Sequence, residues 1–279
     1  MPDCSRPDPT AAAWHASLRL RFADDAGTTR LIERAHSGPL RVQKPLYPEG
    51  PGICHAIVIH PPGGVVGGDC LSVDAAAGAA SHAFVTTPGA AKWYRANGNV
   101  SRQDVRIGAG AGAAFEWMPQ ETIFFDDANV LLDHDVQLEA GARYIGSEIL
   151  CFGRRASGEA YRRGLIRQRT RIRSAGKLVW WEQGAIDGAG PAMQSRFGLG
   201  GATVCATLIG VGAPVPASLM AAMRARDASL ALSQVKSVFV GRYLCDDSET
   251  ARHAIAALWQ GLRPHLLGCA APLPRIWNT

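Results

Sequence analysis

The chain has 279 residues, 47% of them hydrophobic and 19% charged, the balance of a globular protein long enough to bury a substantial core. No stretch approaches the ~20 apolar residues that span a bilayer, and Met1–Ala13 lacks the basic and apolar regions of a secretory signal, so a cytoplasmic location is expected. The formal net charge of +5, carried mostly by arginine, favours an anionic partner surface without choosing between protein and nucleic acid.

Residues 1–13, with Pro2, Pro7 and Pro9, read as a disordered lead-in, and residues 14–279 as one predominantly β domain. His15–Phe22 alternates, with Leu18, Leu20 and Phe22 on one face and Arg19 and Arg21 on the other, the period of a half-buried strand. Further strand-like runs follow at Cys54–His60, Ser81–Thr87, Val100–Ile107, Ala113–Met118, Val130–Leu138, Arg143–Phe152, Leu165–Arg173, Leu178–Ile186, Thr203–Val211 and Val235–Leu244. Ser174–Lys177 has the composition of a hairpin turn. Two segments have helical spacing. One is Pro216–Ala228; the other is Ser248–Leu267, with Ser248 as its expected N-cap and Pro264 predicting a kink or early stop. The seven cysteines are scattered with no C-x-x-C pair, so neither a disulfide framework nor a structural zinc site is indicated.

The glycine-rich stretch Pro61–Cys70 offers Gly63 and Gly68 at phosphate-loop spacing, but Asp69 stands where the phosphate-binding lysine would be needed. Gly108–Gly112 leads into a strand rather than a helix and lacks the dinucleotide fingerprint. Both read as tight turns. No G-x-S-x-G or H-E-x-x-H is present, and His134-Asp135 lies inside an alternating strand pattern rather than in a metal motif. Arg167, Arg169, Arg171 and Arg173 share one face of a strand, where they meet either neighbouring carboxylates or an anionic partner. Glu116, Glu148 and Glu182 sit in apolar strands, where a carboxylate is costly unless paired or metal-bound. They form either salt bridges to arginines or, with Asp69 as a further candidate, a polar passage for a cation such as nickel, which accepts oxygen and nitrogen ligands.

Four blocks then stand in order: His60-Pro-Pro-Gly63-Gly64-Val-Val-Gly-Gly-Asp69; Thr86-Thr87-Pro-Gly-Ala-Ala-Lys92-Trp-Tyr94-Arg95; Glu116-Trp-Met-Pro119-Gln120-Glu121-Thr-Ile-Phe-Phe-Asp126; and Gly153-Arg154-Arg-Ala-Ser-Gly158-Glu159. With the closing Leu273-Pro-Arg-Ile-Trp277, they resemble the signature blocks of the urease accessory protein D family, called H in some lineages. The resemblance runs from about residue 15 to the C-terminus. It implies an elongated helicoidal stack of many short strands with two helices near the C-terminal end. It also implies no catalytic activity and no tightly bound cofactor, only transient Ni(II). The implied partners are apo-urease, accessory protein F and, through F, the GTPase accessory protein G, with nickel passing through the interior to the urease active site. No histidine-rich tail stands in this sequence, so the chain is not expected to be itself a nickel store. Two competing expectations are a polysaccharide-active β enzyme, which needs two carboxylates ~5–10 Å apart in an open cleft, and an RNA-binding module using the arginine strand.

Overall fold

The structure is a computed structural model that describes residues 13–278. The expected lead-in falls almost wholly on residues 1–12, which lie outside the described residues, as does Thr279.

The chain opens with the hairpin β1 (His15–Asp25) and β2 (Thr28–Ser37), and the short β3 (Arg41–Val42) leads into β4 (Ile53–Ile59). It then coils through β5 (Cys70–Ala77), β6 (His82–Thr86), β7 (Ala91–Trp93), β8 (Ser101–Ala109), β9 (Ala114–Met118), β10 (Thr122–Phe124), β11 (Asn129–Leu138), β12 (Arg143–Phe152) and β13 (Leu165–Ser174). β14 (Lys177–Asp187) folds back on β13. The chain finishes with β15 (Val204–Val211), α1 (Ala217–Arg226), β16 (Ala231–Val235), β17 (Val238–Cys245) and α2 (Ser248–Leu267).

Successive strands fall on two facing sheets. The first has the order β14-β13-β11-β8-β5-β1-β2, parallel from β1 through β5, β8 and β11 to β13, with an antiparallel hairpin at each end. The second follows β16-β17-β15-β12-β9-β6-β4-β3, with β4, β6, β9 and β12 parallel, and β7 and β10 form a short third face beside β12. Parallel neighbours joined by short turns rather than crossover helices make a β-solenoid-like stack. The mainly β helicoidal architecture with two C-terminal helices is therefore present.

Alternation explains the packing. Leu18, Leu20, Phe22, Val73, Val105, Val136 and Ile172 of the first sheet face Phe115, Tyr144, Leu150 and Phe152 of the second. The other face of the second sheet carries Phe84, Met118, Ile145 and Ile149, which pack under Leu258, Trp259 and Leu262 of α2. Buried on both faces, β4 and β12 accordingly read as near-continuous apolar runs.

Some local expectations need correction. β2 is mostly exposed and shows no sustained alternation, and β5 alternates largely through alanine, so neither stands out in the sequence. The run Val235–Leu244 is two strands, because Lys236 turns the chain at φ +54°. The N-cap of α2 is Asp247, not Ser248: its carboxylate accepts the Thr250 N–H at 2.7 Å, and Ser248 is already helical. Pro264 brings no early stop. It lies in the last turn, and the helix ends at Gly268, whose N–H reaches the Pro264 carbonyl. The hairpin at Ser174–Lys177 forms, with these two residues paired across Ala175 and Gly176.

Candidate functional site: a cavity between the sheets

Because β4, β6, β9 and β12 run parallel, the loops that follow them emerge at the same end of the stack. Those loops are the four sequence blocks. The first three roof a cavity of about 440 Å³ between the sheets, lined by His60, Gly63, Gly64, Thr87, Lys92, Pro119 and Gln120 among others. Val65 pairs with Trp93, which draws the glycine-rich loop onto the next coil. The fit leaves no room for side chains: a Cβ on Gly64 would lie 2.4 Å from the Tyr94 ring, and one on Gly67 1.9 Å from the Ala96 carbonyl oxygen. The Gln120 N–H donates to Thr87 Oγ1 at 2.9 Å, and the Ala91 N–H to the Glu121 carbonyl at 2.8 Å. Thr86 Oγ1 accepts the Trp277 indole N–H at 2.8 Å. In the fourth block Gly153 donates to the Phe124 carbonyl. Arg154 stacks 4.1 Å over Phe125, whose ring also meets Tyr94, and binds Glu159 at 2.8 Å beside the turn closed by Gly158. Lys92 and Arg95 are exposed.

Farther in, polar groups cross an otherwise apolar layer. His134 of β11 lies 3.3 Å from Tyr144 Oη of β12, and Gln168 of β13 donates its amide to Glu148 of β12. Burial pushes the Glu148 carboxyl up to about 7, opposed by the Gln168 hydrogen bond and reinforced by the charge of Glu182. Burial also pushes His134 down to about 4, so its ring is neutral at physiological pH and keeps a lone pair. His60 is likewise lowered, chiefly by burial, and its Nε2 is buried with no hydrogen-bond partner among the described residues. Glu148 and two neutral imidazoles therefore line the space, with Asp133 also at its wall but paired with Arg169 and Arg171, a donor set suited to a borderline divalent metal. Among the described residues no three His, Cys, Asp or Glu side chains gather closely enough to hold a metal ion.

The four carboxylates singled out in the sequence are not brought together. Glu148 lines the cavity. Glu182 lies at the sheet edge, paired with Arg242. Asp69 is buried and committed to backbone, accepting the N–H groups of Trp14 at 2.9 Å and Val66 at 3.0 Å. Glu116 faces α2 across the second sheet from the cavity, so it forms no open carboxylate pair with Glu148 of the kind a polysaccharide-cleaving enzyme needs. It accepts the Trp259 indole N–H at 2.6 Å and Arg263 Nε at 3.0 Å, and His82 Nε2 lies 2.7 Å away. Arg263, itself fully buried, continues to Glu49 at 2.5 Å, and Glu49 to His55 at 2.8 Å. Burial opposes ionisation of Glu116 and Glu49. Their histidine and Arg263 partners nonetheless hold both below the usual carboxylate range, Glu49 at about 2.

On the outer face of the first sheet, Arg169 pairs with Asp133, and Arg171 reaches Asp135 at 2.7 Å. Arg173 lies 3.8 Å from Asp135. Arg167 is exposed and has no ion-pair partner among the described residues. His134, Gln168, Arg242 and Arg263 carry much of the site and its support, yet in the sequence His134 reads as part of a strand and the other three do not stand out as site residues. For His134 the signal was present: strand alternation puts it on the face of Leu132 and Val136.

The family model described as UreD urease accessory protein matches residues 15–278. The chain is 55% identical over 270 residues to the urease accessory protein UreD of Janthinobacterium sp. (strain Marseille), covering 95% of this chain and 91% of that one. It is 49% identical to the UreD of Nitrosospira multiformis, covering 95% and 97%, and 46% identical to that of Dechloromonas aromatica, covering 96% and 95%. No helix among the described residues is long and apolar enough to cross a membrane. With its stacked β architecture and a match that runs through all four motif loops, the chain belongs to the UreD urease accessory protein family.

Proposed function

We propose that this protein is a non-catalytic urease maturation factor. It associates in the cytoplasm with apo-urease and with accessory proteins F and, through F, G, and hands nickel to the urease active site through the cavity between its sheets. The observation that carries this reading is the cavity itself, roofed by the family's motif loops and lined by Glu148, His60 and His134. One uncommitted carboxyl, Glu148, titrating near neutrality, and two neutral imidazoles favour brief contact with Ni(II) over tight retention. Asp69 and Glu116 are supports in this reading, whereas Glu148 and Glu182 are the carboxylates of the passage.

Urease matured in cells with Glu148→Leu in place of the wild type is expected to carry less than half the normal nickel, measured by elemental analysis, while the variant still co-purifies with apo-urease. Normal nickel content would rule the passage out. The arginine face supplies a partner-binding candidate. Arg167 is uncommitted, whereas Asp133 and Asp135 hold Arg169, Arg171 and Arg173. Arg167→Glu is expected to weaken co-purification with urease or accessory protein F without changing thermal stability.

A further inference from the structure

The cavity reaches inward as far as Glu148, Gln168 and Thr170. Two polar rows continue from there to the sheet edge. In the first sheet His134, Thr170 and Glu182 are register partners across β11, β13 and β14. In the second, Glu148, Thr207 and Arg242 are register partners across β12, β15 and β17. The rows face each other, since Gln168 donates to Glu148 and Arg242 donates to Glu182. On the same inner faces Ile172 and Ile209 flank the Thr170 and Thr207 row on one side, and Gln168 and Cys205 flank it on the other, so apolar core bounds the lane on one side and Gln168 widens it toward the cavity.

We propose that the Arg242–Glu182 ion pair is a gate closing the sheet-edge end of this lane, and that a divalent cation crosses there by displacing the Arg242 guanidinium from Glu182. This rests on the passage reading above. Two carboxylates, Glu148 and Glu182, face one guanidinium in the lane, and a divalent cation between them supplies the charge that Arg242 supplies when the gate is shut. The side chain of Arg242 is 44% exposed and, among the described residues, its ion pair is with Glu182, so it swings to solvent by breaking that contact. A half-exposed pair of this kind is weakly held, so a divalent cation readily displaces it. The fully buried Arg263, gripped by Glu49 and Glu116, has the opposite design and does not suit a moving part.

A native reporter stands beside the gate. Cys205 of β15 packs against the inter-sheet core, and the charges of Glu148, Arg242 and Glu182 all act on its thiol, which burial pushes up to about 11. The full-length protein is treated with aminoethyl methanethiosulfonate, a cation, or with its sulfonatoethyl counterpart, an anion. Modification of the Cys205 peptide is followed by mass spectrometry, with and without nickel chloride. Arg242→Ala is expected to speed the cationic reaction at Cys205 tenfold or more, to speed the anionic one far less, and to be slowed again by nickel. Arg242→Lys, which keeps the charge, is expected to react at the wild-type rate. Unchanged rates in a folded Arg242→Ala overturn the gate. Faster modification indifferent to reagent charge and to nickel also overturns it, because Arg242 is then packing alone. The Glu148→Leu nickel measurement judges the passage separately, so failure of one is distinguishable from failure of the other.

Discussion

Glu116 and Glu148 show how little a residue type means without its surroundings. Both lie in apolar strands of the same sheet, on opposite faces. Glu116 meets His82, Trp259 and Arg263 and stays ionised; Glu148 meets one amide and is pushed to about 7. For Glu148 the folded value exceeds the unfolded one, so its ionisation costs stability increasingly as pH rises from about 4.5 through 7. Glu148→Gln is therefore expected to gain on the order of 2 kcal/mol in urea unfolding at pH 8, about a quarter of that at pH 5 and almost nothing below pH 4. Glu49 has the opposite sign: held at about 2, it stabilises fully above its unfolded value and loses that contribution as pH falls toward 2. The difference in stability between wild type and Glu49→Gln is thus expected to shrink through that acid window. Arg263→Met leaves two buried carboxylates short of their cation, and a loss of about 3–5 kcal/mol in the same unfolding measurement is expected.

At the scale of elements, capping and close approach decide more than propensity does. Asp247→Ala removes the acceptor for the Thr250 N–H, and chemical denaturation is expected to show a loss of about 1 kcal/mol. The glycine-rich loop is fixed sterically. At Gly67 an added methyl meets backbone, which cannot yield, whereas at Gly64 it meets the Tyr94 ring. Gly67→Ala is expected to lower the melting temperature more than Gly64→Ala does, since a ring can swing aside and a carbonyl cannot. Asp69 serves the same loop by accepting two backbone N–H groups, so a carboxylate that argues against phosphate binding in the sequence acts as a brace in the fold.

For the whole molecule, the parallel second sheet is the decisive feature. It gathers four loops, separated by up to about a hundred residues of chain, at one end of the stack, and it separates two cores by a sheet buried on both faces. The C-terminal segment closes the assembly. Trp277 packs against Trp259 at 5.7 Å and Phe84 at 6.1 Å, and donates to Thr86 on β6. Trp277→Ala is expected to cost about 3–5 kcal/mol and to raise hydrogen exchange along α2 as well as locally, because the tail, helix and sheet share one core.

Local sequence determined most of what depends on neighbours in the chain. Period-two alternation marked β1, β11 and β13, turn residues marked the hairpin after β13, and 3.6-residue periodicity marked α2 to its last residue. Weakly patterned strands such as β2 and β5 escaped because edge exposure and small alanines leave no contrast between faces. The site was half legible. Its motif residues and Glu148 stood out, but nothing in the sequence said that β12 turns Glu148 toward Gln168 while β9 turns Glu116 toward Arg263. Only the tertiary structure decided that, because a strand fixes which residues share a face, and the stacking of coils fixes what each face meets.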